Sequence, residues 1–411
     1  MIQPQDFINY IVSFSAFDQR TEISGSESVP KYINEFWTSR QRKASSLHEI
    51  SYRACFKPQL PRFFIESLTS PGDIVFDPFS GRGTTVLEAA LLNRVIISND
   101  INPLSEILAR PRLAPPELED VEKRLSEIPR SDEIMSDLDL SMFYEENTLQ
   151  EILSMRKYLY ERKEAGQEDE IDRWIRMVST SRLTGHSPGF FSVYTMPPNQ
   201  AVSAKRQVLI NEKRNQTPSY RNTKEIICKK TKILIKSLSQ SERENLKRVG
   251  EQSLFLTSDA RELDMIPDNH IQLTVTSPPF LNVVNYSEDN WLRCWFNHLD
   301  ADEIKVTMTR NLDEWVRIMS GVFKELFRIT KPGGFVAFEV GEVLGGKLLL
   351  EEPVLEIGEA EGFLPMGVMI NKQTFTKTSN IWGVNNNAKG TNTNRIVLFN
   401  KTNRTRQTLS L

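Results

Sequence analysis

One stretch decides the fold: Ile74-Val75-Phe76-Asp77-Pro78-Phe79-Ser80-Gly81-Arg82-Gly83-Thr84-Thr85-Val86-Leu87-Glu88. It predicts an apolar strand, a glycine turn and the start of a helix. Gly81 and Gly83 allow the backbone to approach a ligand closely, and a helix N-terminus offers free N–H groups. Dinucleotide-binding oxidoreductases use a similar turn, so the glycines alone predict a ligand site in an α/β fold without fixing its chemistry.

A second stretch, Thr274-Val275-Thr276-Ser277-Pro278-Pro279-Phe280, predicts a short buried strand that stops at a double proline. Proline cannot donate to a sheet ladder, so the chain must leave the sheet there and local carbonyls are free to face a cavity. A planar base fits such a strand end. Ser277 and the Pro278 carbonyl can accept hydrogen bonds from an exocyclic amine, and Phe280 can stack on the ring. A plain Ser-Pro-Pro turn is the alternative interpretation.

The pattern Asp-Pro-Phe-x-Gly-x-Gly-Thr-Thr at 77–85, taken with Ser-Pro-Pro-Phe at 277–280, closely resembles the S-adenosylmethionine-dependent DNA amino-methyltransferases. The Ser-Pro-Pro version resembles the N4-cytosine branch of these restriction-modification methylases. The resemblance implies S-adenosylmethionine as cofactor and double-stranded DNA as partner. It also implies an α/β fold, a Rossmann-like class I methyltransferase sheet with helices on both faces and a large, mainly helical insertion.

The resemblance further implies the site residues. The residues expected to bind the cofactor are Asp77, Phe79, Gly81, Gly83, Thr84, Asp100 and Asp259. Asp100 follows a predicted strand, where a carboxylate can bind ribose hydroxyls, and capping of the next helix is the alternative. Asp259 resembles the family's contact to the adenine ring, and capping of the next helix is the alternative. The residues expected at the target base are Ser277, Pro278, Pro279 and Phe280.

Two further patterns bear on the site. Asn285 and Tyr286 are candidates for the outer wall of the base pocket. Trp315, Met319 and Val322 fall at helical spacing and predict a core stripe rather than a cofactor site.

Composition limits the class of protein. The chain has 411 residues, of which 39% are hydrophobic and 26% charged, so it is long enough for two domains with a sizeable core. Cys55, Cys228 and Cys294 lie far apart, which argues against a zinc site or a disulfide framework and for a reducing compartment. No apolar run reaches membrane-spanning length and no secretory signal is evident. We therefore expect a cytoplasmic protein with no metal and no membrane partner.

Five segments are expected along the chain. They are an N-terminal helical arm (1–45), the cofactor-binding part (46–110), an inserted target-recognition domain (111–250), the target-base part (251–400) and a tail (401–411). The formal net charge is only −3, so a nucleic-acid surface requires local clustering. Between residues 201 and 250, thirteen Lys or Arg face four Glu. This excess predicts contacts with phosphates, and a solvated face is the alternative.

The predicted reaction is methylation of the N4 amine of a cytosine flipped out of duplex DNA. An exocyclic amine is a poor nucleophile, so catalysis should come from in-line positioning and from acceptors such as Ser277. Attack from nitrogen requires no activated cysteine. The alternatives are adenine-N6 methylation, where Asp or Asn usually replaces Ser277, an RNA amino-methyltransferase, and a catalytically idle DNA-binding subunit. A cognate restriction endonuclease that acts separately is a candidate partner.

Overall fold

The computed structural model describes residues 3–16, 19–26, 29–37, 44–52, 56–131, 133–195, 201–279, 281, 286–304, 309–340, 342–343, 348–372 and 393–402. Phe280 and Asn285 of the predicted base pocket lie outside these residues. Among the described helices, none combines the length and apolar character that crossing a membrane requires.

The described helices alternate with strands at both ends of the chain and follow one another without strands in its middle. The helices are α1 (Pro4–Ser13), α2 (Gln59–Leu68), α3 (Thr84–Leu91), α4 (Leu104–Ala109), α5 (Leu118–Glu127), α6 (Glu146–Glu164), α7 (Glu170–Arg182), α8 (Ala204–Arg214), α9 (Thr223–Ile235), α10 (Gln240–Gln252), α11 (Tyr286–Phe296), α12 (Leu312–Ile329) and α13 (Glu351–Glu361). The strands are β1 (Ser15–Ala16), β2 (Gln19–Arg20), β3 (Glu22–Gly25), β4 (Pro30–Asn34), β5 (Ile74–Asp77), β6 (Val95–Asn99), β7 (Leu254–Leu256), β8 (Ile271–Thr276), β9 (Thr330–Val340), β10 (Glu342–Val343), β11 (Leu348–Leu349), β12 (Leu364–Lys372) and β13 (Thr393–Asn400).

Nine strands form one sheet in the order β3-β4-β12-β13-β9-β8-β5-β6-β7. The five strands from β9 to β7 run parallel, whereas β13 is antiparallel to both of its neighbours. From β5 the chain builds outward through β6 to β7, and it then returns to add β8 and β9 on the other side of β5. This reversal puts a topological switch point between β5 and β8, where a crevice opens at the carboxyl ends of the strands.

The central strands are buried on both faces, which explains their nearly continuous apolar sequence. Along β5, Val75 joins the core on one face and Phe76 joins the core on the other. Phe335 and Val336 of β9 alternate in the same way. Residues of α2, α3 and α10 complete the first core, and residues of α12 and α13 complete the second. The predicted α/β fold, a Rossmann-like class I methyltransferase sheet with helices on both faces, is confirmed.

The predicted insertion is helical from α5 to α10. It shares one continuous core with the sheet: α10 contacts α3 and β6, and the Asn245 side chain donates to the Ala90 carbonyl at 2.9 Å. Helix α9 contacts the segment before the glycine motif, where the Ser46 hydroxyl donates to the Leu234 carbonyl at 2.7 Å. The predicted insertion, 111–250, therefore includes α10, a helix that packs on the sheet. A separate recognition domain stays a prediction.

Among the described residues of the N-terminal arm, the helical ones form α1, whose Phe7 and Ile11 are buried in the core. The chain then adds two strands to the edge of the large sheet. β4 pairs in parallel with β12, with Ile33 opposite Ile370, and β3 pairs with β4 as the outermost strand. Strands Gly362–Ile370 and Arg395–Asn400, which the sequence predicts, correspond to β12 and β13.

Candidate active site

The glycine turn between β5 and α3 needs both of its glycines, for different reasons. Gly81 (φ 51°) and Gly83 (φ 73°) adopt left-handed backbone conformations that favour glycine. A Cβ on Gly83 would lie 2.6 Å from the Ala109 Cβ, so packing leaves no room for a side chain at this position. Within the described part of the chain, a Cβ on Gly81 would meet the Tyr52 ring alone, at 3.6 Å. Gly81 is thus the glycine at which the backbone borders the open crevice.

Asp100 follows β6 and holds the glycine turn in place. Its carboxylate accepts hydrogen bonds from Gly81 N at 2.8 Å and from Asn102 N at 2.9 Å. Burial raises the pKa of Asp100 to about 6, against the effect of these two hydrogen bonds. At the start of α4, Leu104 N donates to Asn102 Oδ1 at 3.0 Å, and Pro103 at the N-cap makes no side-chain cap hydrogen bond.

Asp77, Gly83 and Thr84, by contrast, do not line the pocket. Asp77 is buried and accepts from the Thr276 hydroxyl at 2.6 Å and from Phe79 N at 3.2 Å. Burial raises its pKa to about 7. Asp77 therefore joins the two sequence motifs to each other behind the pocket, and a direct contact with a cofactor stays a prediction for all three residues.

The Ser-Pro-Pro turn leaves the sheet at the end of β8, as its prolines predict. Ser277 and Pro279 line the pocket, whereas Pro278 does not. The Pro279 carbonyl accepts from the Trp315 indole N–H at 3.0 Å, which fastens the turn to α12. Phe280, the predicted stacking ring, is not among the described residues.

The sequence interpretation missed Glu339, which lies near the end of β9 and is 8% exposed. Thr276 of β8 pairs with Phe338 of β9, so Glu339 comes next to Ser277 where the two strands end. Asn394 of β13 donates a hydrogen bond to the Glu339 carboxylate. Burial raises the pKa of Glu339 to about 7. A signal existed in the sequence, because an acid within the apolar run from Phe335 to Val340 is unusual in a buried strand.

Asp259 follows β7 and borders the pocket from the far side of the crevice. Its carboxylate is engaged by Arg261, whose guanidinium donates from both Nε and Nη2 and whose backbone N–H donates at 2.9 Å. The hydrogen bond from the Arg261 side chain lowers the pKa of Asp259. The predicted contact with an adenine ring must therefore share this carboxylate with Arg261.

These elements close around one pocket of about 860 Å³, counting the space at its mouth. Its lining residues come from the carboxyl ends of β5 to β8, from α12 and from the segment before α2: Tyr52, Pro78, Phe79, Gly81, Asp100, Ile101, Asn102, Ser258, Asp259, Ala260, Ser277, Pro279, Trp315, Ile318, Met319 and Val322. The structure thus brings together Phe79, Gly81, Asp100, Asp259, Ser277 and Pro279 of the predicted site.

One wall of the pocket corrects the interpretation of α12. Trp315, Met319 and Val322 are buried core residues, as predicted, but the same three side chains also line the pocket. Helical spacing cannot distinguish a core stripe from a pocket wall, because apolar side chains form both. The sequence did not predict Tyr52 as a pocket residue, because a long-range contact brings its segment to the pocket. Arg82 of the glycine turn donates to the carbonyls of His48 and Ile50 at 3.3 and 3.1 Å.

The basic residues of 201–250 differ in exposure, and Arg221, Lys224 and Arg243 are half-buried. Lys205, Arg206 and Lys229 are exposed. Lys230, in contrast, is buried beside Arg182 and lies 3.6 Å from Glu49. Burial lowers the pKa of Lys230 to about 8. Lys230 is therefore part of the interior, and a phosphate contact can be sought only among the exposed residues.

Comparison with known proteins agrees with this geometry. The family described as DNA methylase, of N6 and N4 type, matches residues 11–108. The type II methyltransferase M.MjaII of Methanocaldococcus jannaschii is 31% identical over 88 residues, which are 21% of this chain and 17% of that protein. The orphan methyltransferase M.BamHII of Bacillus amyloliquefaciens is 45% identical over 60 residues, which are 14% of this chain and 23% of that protein.

A solved SAM-dependent methyltransferase from Methanosarcina mazei is 11% identical, with 82% of this chain and 97% of that chain covered and a TM-score of 0.32. The aligned region spans less than a quarter of either curated relative. The matched segment contains the glycine motif and Asp100. The resemblance drawn from the motifs is thus confirmed over residues 11–108, which match the model of the DNA methylase family of N6 and N4 type.

Proposed function

We propose that this protein is an S-adenosylmethionine-dependent DNA methyltransferase that methylates the exocyclic N4 amine of a flipped-out cytosine. One observation carries the proposal: Ser277 and Pro279 border the same pocket as Gly81 and Asp100. A cofactor held at the glycine turn would therefore face a base held at the Ser-Pro-Pro turn. Such a juxtaposition is what direct transfer between two bound molecules requires.

The pocket has the chemistry to hold the cofactor. An ionised carboxylate has about four lone-pair sites, and the two backbone N–H groups on Asp100 leave room for ribose hydroxyls. Ile101, Met319 and Val322 supply an apolar surface for the adenine ring. The bound cofactor would supply an electrophilic methyl group. Everything else in the reaction is positioning and proton handling by the chain.

At the target base, the residues of the turn act as acceptors. The Ser277 oxygen accepts from one N–H bond of the amine, which favours the pyramidal nitrogen needed for attack. The Pro278 carbonyl is the second predicted acceptor, although Pro278 is not among the residues that line the pocket. The Trp315–Pro279 hydrogen bond keeps the turn rigid. Phe280, which follows the turn in the sequence, is the proposed ring that stacks on the base and offsets part of the stacking lost from the duplex.

Ser277 is the reason to prefer cytosine, because Asp or Asn usually occupies this position in adenine-N6 enzymes of the family. Adenine N6 remains the second candidate, since the same family contains both activities. The exposed basic residues of α8 and α9 are the proposed contacts with DNA phosphates. The type II names of the relatives suggest a separate restriction endonuclease as partner.

The direct test is mass spectrometry of nucleosides from duplex DNA incubated with the protein and labelled S-adenosylmethionine. N4-methylcytosine is the expected product. N6-methyladenine would retain the site and overturn the choice of base. Label in RNA but not in DNA would overturn the proposed substrate, and no transfer combined with no cofactor binding would support an idle DNA-binding subunit.

A further inference from the structure

A second cavity opens where α4 and the turn after it meet helices α6 and α7. It has a volume of about 470 Å³, counting the space at its mouth, and none of its described lining residues also lines the active-site pocket. Six charged side chains line it: Glu106, Arg110, Lys163, Glu168, Arg173 and Arg176. Four cations against two acids leave a formal charge of +2. A concave wall with an excess of one sign of charge concentrates ions of the opposite sign.

The two acids of the cavity are already engaged by its arginines. Glu106 pairs with Arg110 at 2.6 Å, so this pair is neutral as a unit. Glu168 serves two guanidinium groups at once. Its Oε1 accepts from Arg176 Nε at 2.9 Å and lies 2.7 Å from Arg176 Nη2, and its Oε2 accepts from Arg173 Nε at 3.3 Å. One carboxylate shared between two guanidinium groups leaves one positive charge that is not neutralised.

The second positive charge belongs to Lys163, in the last turn of α6. Lys163 is exposed and makes no ion pair with the described residues. Arg176 faces it from α7 and is only 5% exposed. Arg176 Nη2 also donates to the Leu159 carbonyl at 2.7 Å, whereas Nη1 has no hydrogen-bond partner in the described part of the chain. A buried guanidinium that is incompletely neutralised favours the binding of an anion beside it.

We propose that this cavity is a second ligand site, which binds a phosphate group between Lys163, Arg173 and Arg176. The planar guanidinium can donate two parallel N–H bonds to phosphate oxygens, and the lysine ammonium adds a point charge. A phosphate of the DNA backbone and a free phosphate compound present the same group to these side chains. The inference goes beyond methyl transfer and does not depend on it.

Calorimetric titration with inorganic phosphate, at an ionic strength held constant with sodium chloride, tests the site. The wild type should bind phosphate saturably. Lys163→Gln and Arg173→Gln should each weaken the phosphate affinity by about tenfold or more, because each removes a charge-assisted hydrogen bond. Lys163 is exposed and Arg173 half-buried, so both variants should fold, which urea denaturation checks.

Lys157→Gln is the matched control. Lys157 is exposed on the same helix, α6, but does not line the cavity. Its replacement removes an equal charge, so a general electrostatic effect would appear in this variant as well. The phosphate affinity of Lys157→Gln should match that of the wild type.

The salt dependence of binding to a fluorescent DNA duplex identifies the source of the phosphate. If the site takes a backbone phosphate, Lys163→Gln should bind DNA more weakly and with a salt slope reduced by about 1. If DNA binding is unchanged while inorganic phosphate binds more weakly, the site takes a free phosphate compound. Either result supports the site.

Two results would overturn the inference whatever the DNA experiment shows. One is a wild type that does not bind phosphate saturably. The other is an equal phosphate affinity in the wild type, Lys163→Gln and Arg173→Gln, which would mean that these charges only join the helices. A protein that binds phosphate here but transfers no methyl group would overturn the proposed function and leave this inference intact.

Discussion

Replacing Asp77 by Asn tests the most specific consequence of the site. Asp77 is 2% exposed, and burial, reinforced by the charge of Asp100, raises its pKa from 3.8 to about 7 despite hydrogen bonds from Thr276, Thr85 and Phe79. The folded state therefore binds this proton more tightly than the unfolded state. The contribution of Asp77 to wild-type stability should therefore fall as the pH rises from about 4 to about 7, because ionisation of this carboxyl costs the folded protein more than the unfolded chain.

The size of the effect follows from the two pKa values. A tenfold difference in proton affinity corresponds to about 1.4 kcal/mol. A rise from 3.8 to about 7 therefore means that the ionised carboxylate costs the folded protein about 4 kcal/mol above pH 7. Asn keeps an acceptor for Thr276 and Phe79 and removes the charge. Asp77→Asn should thus exceed the wild type in free energy of unfolding by up to about 4 kcal/mol at high pH and by little near about pH 4.

Urea denaturation at several pH values measures this difference, and calorimetry measures S-adenosylmethionine affinity on the same samples. Asp264→Asn is the matched control, because Asp264 is exposed and its replacement should leave the pH dependence unchanged. Since Asp77 does not line the pocket, the cofactor affinity of Asp77→Asn should stay within a few-fold of the wild type.

Two results would refute this reasoning. A stability difference that is the same at low and high pH would mean that Asp77 keeps an ordinary pKa in the folded protein. A large loss of cofactor affinity without a change in stability would mean that the carboxylate contacts the cofactor directly, as the family resemblance predicts.

Four further predictions concern the other site residues and the DNA surface. Ser277→Ala should slow methyl transfer by about 10²- to 10³-fold while leaving cofactor affinity unchanged in calorimetry; an equal loss of both would put the target pocket elsewhere. Gly83→Ala combines a left-handed φ with a 2.6 Å contact to Ala109 and should lower the free energy of unfolding by about 2–4 kcal/mol in urea. Gly72→Ala has φ 87° and open space around the new Cβ, so it should lower the free energy of unfolding only by the cost of the left-handed backbone. An equal loss of stability in both variants would contradict the packing argument. Burial raises the pKa of Asp100 to about 6, so cofactor affinity should fall as the pH falls through about 6, because ribose hydroxyls require the ionised carboxylate. Asp100→Asn should lack this pH dependence. A wild-type affinity that does not change with pH would count against the ribose role. Reversing the exposed charges of Lys205 and Arg206 should weaken DNA binding and reduce its salt slope by about 2, and an unchanged slope would remove α8 from the DNA surface.

The motifs themselves were readable because each combines a local backbone requirement with a chemical group. The prolines after Thr276 must end a strand, and the left-handed conformations at Gly81 and Gly83 need glycine. These requirements act within a few residues, so sequence reasoning located the turns and the sheet class. The same reasoning could not tell that Gly83 serves packing against Ala109 whereas Gly81 borders the pocket.

The sequence could not predict which distant segments contact each other. Lys230 belongs to a strongly basic stretch, yet it is buried, beside Glu49. Charge counted along a chain cannot distinguish an exposed cation from one that packing has turned inward. Trp315 likewise belongs to an apolar stripe, and its role on the pocket wall depends on where α12 crosses the Ser-Pro-Pro turn.

The sequence by itself determined the α/β class, the glycine and Ser-Pro-Pro turns, and a family resemblance that comparison confirmed over residues 11–108. These features follow from short-range sterics and from hydrophobic periodicity, which neighbouring residues encode. Only the tertiary structure decided that Glu339 comes next to Ser277 and that Asp77 links the two motifs away from the pocket wall. Such pairings depend on strand order and register, and these are settled by the burial of the whole sheet between two cores.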